Sequence, residues 1–354
     1  MASIRDVVRE LEGVAPPSYQ ESYDNAGLIT GNYAWEVTGV ITCLDSTEAI
    51  IDEAIDRGCN LVVAHHPIVF KGLKSLTGRN YVERTVLKAI KNDVAIYAIH
   101  TNLDNVLHRG VNQRIGQRLG LENSRILAPK PVLRKLTTYV PHTQCAHLRH
   151  TLMAEGAEAV AVLEQASLNT REHGTHHDDN LHGRTVRMEV QYGQGIERRL
   201  LATLQREHPH ESAFYEITGL DNQCPQVGSG LIGQLPKAMD EKQFLGFLKE
   251  RMQVSCIRHT ALRQKDVKTV ALCGGAGGFL LGKAIGAGAD IFITADYKYH
   301  EFFDADGQIV IADIGHFESE QFTIPLLKEI LSEKFSTFAT YSTEVRTNPI
   351  QYWC

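Results

Sequence analysis

The first and last thirds of the chain alternate apolar runs with segments of helical periodicity, and this alternation constrains the fold more than any other feature. Strands that alternate with helices are typical of α/β proteins with parallel sheets. The apolar runs of the first third are TGVITCLD (38–45), NLVVAHHPIVF (60–70) and VAIYAIHTNLD (94–104). Those of the last third are KTVALCGG (268–275), ADIFITAD (289–296) and GQIVIADIGH (307–316). We therefore predict a layered α/β body built by both outer parts of the chain.

The middle of the chain has a different pattern of predicted strands and helices. Its segments LRKLTTYVP, CAHLRHTLMAEG, TVRMEVQY, IERRLLATLQREHP and AFYEITGL read as β, α, β, α, β, with a polar His-rich stretch before the second strand. This order predicts a ferredoxin-like α+β module inserted into the α/β body. The predicted boundaries are 1–130 and 226–354 for the two parts of the body and 131–225 for the insertion.

Composition excludes several classes of protein. No apolar run approaches the ~18 residues needed to cross a bilayer, and the charged start MASIRDVVRELEG is unlike a signal peptide. We therefore expect a soluble, cytoplasmic protein without a membrane partner. The net charge of -6 gives no basic surface for nucleic acid. The seven cysteines never form CxxC, so a metal site would have to use nitrogen and oxygen ligands, and the chain has 16 histidines.

Two strands of the first third end in residues that bind metals. His65 and His66 close one apolar run directly before Pro67, which cannot continue a β ladder. His100 ends the next run, and Asp104 follows one helical turn later. A carboxylate with histidines suits Zn, Fe, Mn or Ni. A bare pair of histidines is also common in loops, and Asp104 alone could cap a helix.

A third strand end in the last part of the chain carries DIGHFESE (313–320). His316 and Glu320 are four residues apart, so on a helix they share one face, whereas Glu318 points elsewhere. Alone, such a pair is weak evidence for a site, because His and Glu four residues apart are common as a solvated surface pair. From the three strand ends, a set of three imidazoles and two carboxylates can be drawn, and it consists of His65, His66, Asp104, His316 and Glu320. A bridging Glu320 would allow two ions ~3.5 to 4 Å apart.

Two further motifs compete for a functional role. GGFLLGK (277–283) has the GxxxxGK spacing of a phosphate loop, but Ala284 stands where Ser or Thr must hold magnesium. We interpret Gly274 to Gly278 as a tight turn that brings backbone N–H groups near an anion. The loop HGTHHDD (173–179) offers His173, His176 and His177 as ligands, but its polarity favours a mobile surface loop.

Several motifs together resemble the NIF-three-like family, whose bacterial members are often called GTP cyclohydrolase I type 2 homologues. They are YDNAGL (23–28), CLDST (43–47), VVAHHPIVF (62–70), IHTNLDNV (99–106), CGGAGG (273–278), ADIFITADYKYHE (289–301), DIGHFESE (313–320) and TNPIQYW (347–353). The resemblance covers both outer parts. The family's long forms also carry a PII-like or CutA-like module between them, here about 134–221. Tyr23 and Ala295 depart from the family's usual residues.

The resemblance implies a dinuclear metal centre and a toroidal homohexamer. By position, His65 and His316 would bind one ion, His66 and Asp104 the other, and Glu320 would bridge both. The resemblance leaves the kind of divalent metal open.

Two functions remain open. One is a metal-dependent hydrolase that acts on a small anionic molecule through a metal-activated water, with His100 and His300 as candidate proton donors. The other is a non-catalytic metal-binding or regulatory hexamer with a sensing PII-like module. The remaining candidate residues are expected to line the substrate pocket, and they are Asn25, Asp45, Gly274, Gly275 and Asp296.

Overall fold

The computed structural model describes residues 2–166, 185–209 and 213–353. The chain folds as two compact units. The first contains Met1–Pro129 and Pro225–Cys354, and the second contains Lys130–Cys224. Within the described residues, no helix is long and apolar enough to pass through a bilayer.

The described residues form fifteen β-strands. They are β1 (Gly27–Thr30), β2 (Gly39–Cys43), β3 (Leu61–Ala64), β4 (Ala95–Ala98), β5 (Glu122–Lys130), β6 (Leu133–Pro141), β7 (Ala159–Ala166), β8 (Thr185–Gly193), β9 (Tyr215–Gly219), β10 (Cys224–Asp240), β11 (Arg258–His259), β12 (Asp266–Leu272), β13 (Ile291–Thr294), β14 (Val310–Asp313) and β15 (Ala339–Ser342).

The same residues form eleven α-helices. They are α1 (Ile4–Val14), α2 (Glu48–Asp56), α3 (Tyr81–Lys91), α4 (Thr101–Asp104), α5 (Val111–Arg118), α6 (His142–Ala154), α7 (Glu197–Glu207), α8 (Glu241–Met252), α9 (Leu281–Gly286), α10 (His316–Glu320) and α11 (Thr323–Lys334).

Two mixed sheets build the first unit. One has the strand order β1-β4-β3-β2-β15, in which β15, β2, β3 and β4 are parallel and β1 is antiparallel. The other has the order β11-β14-β13-β12-β10-β5, with β12, β13 and β14 parallel. This confirms the predicted α/β class. In parallel strands all carboxyl ends meet at one edge, which is where α/β proteins place their sites.

Alternation along the strands explains how the layers pack. Leu61 and Val63 of β3 join one large core with Ile291 and Ile293 of β13, together with apolar residues of α1, α5, α8 and α11. The residue between each pair points to the opposite face, as a period of two requires. Val62 accordingly packs in a separate core with residues of α2 and α3. The first unit is therefore a stack of sheets and helices that share buried faces.

The described residues of the second unit form one antiparallel sheet with the order β7-β8-β6-β9. Along its described residues the elements follow as β6, α6, β7, β8, α7 and β9, which is the ferredoxin-like succession. Its core is formed by residues of these elements, such as Leu136, Leu152, Met188 and Leu204. The His-rich loop with His173, His176 and His177 lies outside the described residues.

Candidate metal centre

Backbone pairing carries the two adjacent histidines to the carboxyl edge of the first sheet. Beyond β3, the N–H of His65 donates to the carbonyl of Cys43 at 3.1 Å, and that of His66 donates to Leu44 at 2.8 Å. The His65 side chain is fully buried, and that of His66 is 15% exposed. Both imidazoles are therefore delivered at the strand tip on a fixed backbone.

His65 is held in one orientation by the neighbouring strand end. Its Nδ1 lies 2.9 Å from the carbonyl oxygen of Ile99, and because that oxygen can only accept, Nδ1 must carry the proton. The free Nε2 then lies 3.5 Å from Asp104 Oδ1 and 3.8 Å from Glu320 Oε2. Both His65 Nε2 and Asp104 Oδ1 are buried without a hydrogen-bond partner. Two buried acceptors facing each other are the arrangement that a cation would satisfy.

Glu320 is the point where the other imidazoles meet. It is the last residue of the short helix α10, and His316 is the first, so both lie on one face. His66 Nε2 lies 2.9 Å and His316 Nε2 3.2 Å from the same Glu320 Oε2. The two Nε2 atoms are 3.4 Å apart. The structure thus brings together the side chains of all five predicted ligands.

Two outer carboxylates orient these imidazoles. Asp45 Oδ1 lies 2.8 Å from His66 Nδ1, and Asp296 Oδ2 lies 2.7 Å from His316 Nδ1. Thr347 donates from Oγ1 to the second Asp45 oxygen at 2.7 Å. A carboxylate on the far nitrogen of a histidine is the usual second layer of a metal site. Asp45 and Asp296, which the sequence placed only in the pocket, therefore position His66 and His316.

The charges of the cluster shift its pKa values strongly. Burial opposes protonation of His316, but the Glu320 charge and the Asp296 hydrogen bond raise its pKa to about 11. Burial likewise opposes protonation of His66, yet hydrogen bonds to Asp45 and Glu320 raise its pKa to about 9. Burial, then the Glu320 charge, raise the pKa of Asp104 to about 7. The carboxylates thus favour positive charge at the point where the imidazoles converge.

The described residues offer three groups of donors that could hold a metal ion. One is His65, Asp104 and Glu320, the second is His66, His316 and Glu320, and the third joins His100 to His65 and His66. The first two groups pair the residues differently from the pairing that the family resemblance implies. Glu320 is common to both pairings.

His100 faces the cluster and is oriented by a residue that the sequence analysis missed. Asp24 Oδ1 lies 2.9 Å from His100 Nδ1, and Thr101 donates its N–H to Asp24 Oδ2 at 3.1 Å. Burial would raise the pKa of Asp24, but the hydrogen bonds from His100 and Thr101 lower it to about 2. The only signal was the motif YDNAGL, from which the neighbouring Asn25 was selected. Asn25 instead donates from Nδ2 to the carbonyl of Val69 at 2.6 Å, which makes it a loop contact.

Three N–H groups of the glycine turn are already used within the protein. The N–H groups of Gly274, Gly275 and Gly277 donate at 2.9 Å to Asn112 Oδ1, Ser319 Oγ and Thr294 Oγ1, respectively. The expectation of an anion-binding turn is therefore wrong at these three positions. The turn instead lets the backbone of Gly275, whose φ is +62°, approach the side chain of Glu320. A Cβ at position 275 would lie 2.4 Å from Glu320 Oε1.

His300 is placed away from the cluster. It lies on the 3₁₀ helix Tyr299–Ala305 with an exposed side chain, and its ring stacks on Phe303 with centroids 6.5 Å apart. It is not among the described residues that line the central cavity. The structure thus gives no support to His300 as a proton donor, whereas His100 lines that cavity.

A cavity of about 460 Å³ opens over the cluster. His66, His100, Asp104, His316 and Glu320 lie in its wall, and so do Asp45 and Gly274. Its volume is within the range of small-molecule sites. The cluster is thus accessible to a small ligand.

Comparison with known proteins gives one consistent result. The family model of Duf34/NIF3 (NGG1p interacting factor 3) matches residues 2–349. A relative from Halalkalibacterium halodurans, called GTP cyclohydrolase 1 type 2 homolog, is 31% identical over 371 aligned positions that cover 99% of each chain. A Bacillus subtilis relative with the same name is 28% identical and covers 98% of each chain.

Solved structures agree with the sequence relatives. A Bacillus cereus protein related to NIF3 superposes with a TM-score of 0.82 at 29% identity, and the match covers 99% of each chain. A Staphylococcus aureus protein superposes with a TM-score of 0.79 at 28% identity over the same share. The likeness therefore extends over both units of the chain.

Proposed function

The chain belongs to the Duf34/NIF3 family, and from that premise we propose that its cluster binds two divalent metal ions and hydrolyses a small molecule. The observation that carries the proposal is the pair of buried, unpartnered acceptors, His65 Nε2 and Asp104 Oδ1. Hydrogen bonding within the protein leaves them unsatisfied, whereas a cation would satisfy both. The proposed ligands are His65, His66, Asp104, His316 and Glu320.

The donor set suits Zn, Fe, Mn or Ni, because three imidazoles are combined with two carboxylates. When bound, such ions lower the pKa of water and polarise the bond under attack. Glu320 would bridge them, since its Oε2 is within 4 Å of the Nε2 atoms of all three imidazoles.

His100 is the protein group best placed to move a proton. Asp24 accepts from its Nδ1, which leaves Nε2 free to serve a reacting group in the cavity. The ring centroid of His100 is 5.4 Å from those of His65 and His66. A proton donor beside these two imidazoles would serve hydrolysis of a ring amide, an acyclic amide or a phosphoester alike.

The test combines metal analysis with a substrate screen. Purified protein prepared without chelator should contain close to two divalent ions per chain by elemental analysis. The reconstituted protein is then screened against nucleotides, phosphoesters and cyclic amides, with the Glu320→Gln variant as the inactive control. A metal content near zero would contradict the dinuclear site.

A non-catalytic metal-binding or regulatory role is the second candidate. It would be favoured by protein with two ions that turns over none of these compounds. Turnover that disappears in Glu320→Gln but not in Glu318→Gln would exclude it.

We further propose that the chain assembles into a closed, ring-like homohexamer, as the family resemblance implies. A symmetric interface of this kind must bury well over the ~800 Å² of a crystal contact. Light scattering at micromolar concentration should report a mass near six chains. A stable monomer with full metal content would refute the ring and leave the metal proposal intact.

A further inference from the structure

The rim of the central cavity is aromatic and exposed. Tyr23, Phe70, Tyr81 and Phe279 all line it, with exposed fractions of 71%, 53%, 61% and 72%. Covering a large aromatic side chain with a ligand removes apolar surface from water and so stabilises the complex. Four exposed rings around one opening therefore indicate a surface suited to a planar ligand. Phe70 also contacts the ring of His100 edge-on, with centroids 5.8 Å apart. The aromatic wall thus reaches from the rim to the proposed proton donor.

The charge of the cavity is unfavourable for a polyphosphate. None of the described lining residues is Lys or Arg, whereas Glu21, Asp45, Asp104 and Glu320 are acidic. The four negative charges of these carboxylates would cancel the four positive charges of two divalent ions. A ligand with several phosphates would therefore find no excess positive charge. Three N–H groups of the glycine turn, those of Gly274, Gly275 and Gly277, already donate within the protein.

We propose that this cavity binds a planar aromatic or heteroaromatic molecule that carries no phosphate chain, with its ring against Phe279 and Tyr81. The inference rests on the proposed function, because it places the reacting group at the histidine and carboxylate cluster. It differs from what the relatives' name would suggest, since GTP carries a triphosphate. The ring supplies the binding energy, and the cluster acts on a group attached to it or within it.

The experiment compares ligands that share a ring and differ in phosphate. Guanosine and GTP, and adenosine and ATP, are titrated by saturation-transfer NMR against the full-length protein. Each titration is run with zinc-loaded protein and again after chelator treatment, because triphosphates bind free zinc. The expected result is that each nucleoside binds at least ten-fold more tightly than its triphosphate.

Two aromatic variants test whether the rim makes the contact. Because a base that stacks on an aromatic side chain loses that contact in the variant, Phe279→Ala should weaken nucleoside binding about ten-fold. Phe303→Ala is the matched control, because Phe303 is similarly exposed at 67% and lines a different cavity. Its nucleoside Kd should stay within two-fold of the wild type. Tyr81→Ala provides a second rim variant and should behave like Phe279→Ala.

Each result decides the inference. It is overturned if the triphosphates bind as tightly as the nucleosides, if neither nucleoside binds, or if Phe279→Ala and Tyr81→Ala leave the Kd unchanged. Its failure is separable from failure of the proposed function, because metal content is measured on the same samples. Two ions without ring binding would refute only this inference, and ring binding without metal would refute only the proposed function.

Discussion

Glu320 is the residue on which the candidate centre depends most, because its buried carboxylate is shared by two of the three donor groups. Changing Glu320 to Gln keeps the shape of the side chain and removes its charge. We expect this variant to lose affinity for both ions, whereas Asp104→Asn should weaken mainly one. Elemental analysis after dialysis against a dilute chelator gives the stoichiometry.

Glu318 provides the matched control for that substitution. It lies two residues away on the same helix and is equally buried, at 3% exposure. Its Oε1 accepts from Asn348 Nδ2 at 2.8 Å, so its carboxylate is used by the C-terminal segment. Glu318→Gln should therefore retain both ions. Loss of metal from Glu318→Gln with normal content in Glu320→Gln would show that Glu318, and not Glu320, is the metal ligand on this helix.

Gly275 provides a second residue-scale prediction. Gly275→Ala should destabilise the fold by ~1 to 2 kcal/mol through its left-handed backbone, and it should also displace Glu320 and reduce metal content. Gly288→Ala separates the two effects, because Gly288 has a similar φ of +74° and open space around its position. Denaturant unfolding and metal analysis are run on both. Equal metal content in the two variants would contradict the role assigned to Gly275.

Strand ends and residue chemistry were enough to select the side chains that meet in the cluster, although their role as ligands stays a prediction. Asp24 was missed because its partner His100 is 76 residues away, and no local pattern links the two positions. The N–H groups of the glycine turn were misread for the same reason. Their acceptors, such as Asn112, come from distant parts of the chain.

At the scale of elements, α2 connects the first sheet to the segment that follows its edge strand. Glu53 accepts from the backbone N–H of Glu344 at 3.0 Å and also from the Thr343 hydroxyl, just beyond β15. Glu53→Ala leaves these donors unpaired and should destabilise the protein by ~1 to 3 kcal/mol in urea unfolding.

Asp52 is the neighbouring control on the same helix. Its side chain is 53% exposed and pairs with Lys88. Asp52→Ala should change stability by no more than ~0.5 kcal/mol, as is usual for an exposed ion pair. A loss as large as that of Glu53→Ala would mean that the helix surface, rather than the contact with the C-terminal segment, determines the effect.

The periodicity of apolar residues predicted the helices and strands of the α/β body. The residues at which these elements begin and end depend on local contacts that periodicity does not report. Ser46 and Thr47 both carry a hydroxyl that could cap α2, and it is Thr47 that takes this position and accepts from the N–H of Ile50. Two adjacent residues of similar chemistry compete for one cap, and Thr47 has the extended backbone, φ -126° and ψ 169°, that is typical of an N-cap. Ser46 instead is buried and lines the cavity.

At the scale of the whole molecule, the second unit should be removable. Its core cluster consists of residues between 130 and 224, and the chain leaves from β5 and returns in β10, which are neighbours in one sheet. Replacing 130–224 by a short Gly/Ser linker should give a folded protein with two ions per chain. Circular dichroism and elemental analysis are compared with the full-length chain. Insoluble product from several junctions would contradict this independence.

The hydrogen bond between His65 and the carbonyl of Ile99 has a consequence for mutational tolerance. His66 and His316 are oriented by the side chains of Asp45 and Asp296, so a single codon change can remove either support. The support of His65 is a backbone atom, which every amino acid supplies. Substitution of Ile99 by another apolar residue should therefore leave the hydrogen bond to His65 intact. The orientation of His65 is thus insensitive to substitution at the residue that supports it, whereas the orientations of His66 and His316 are sensitive to it.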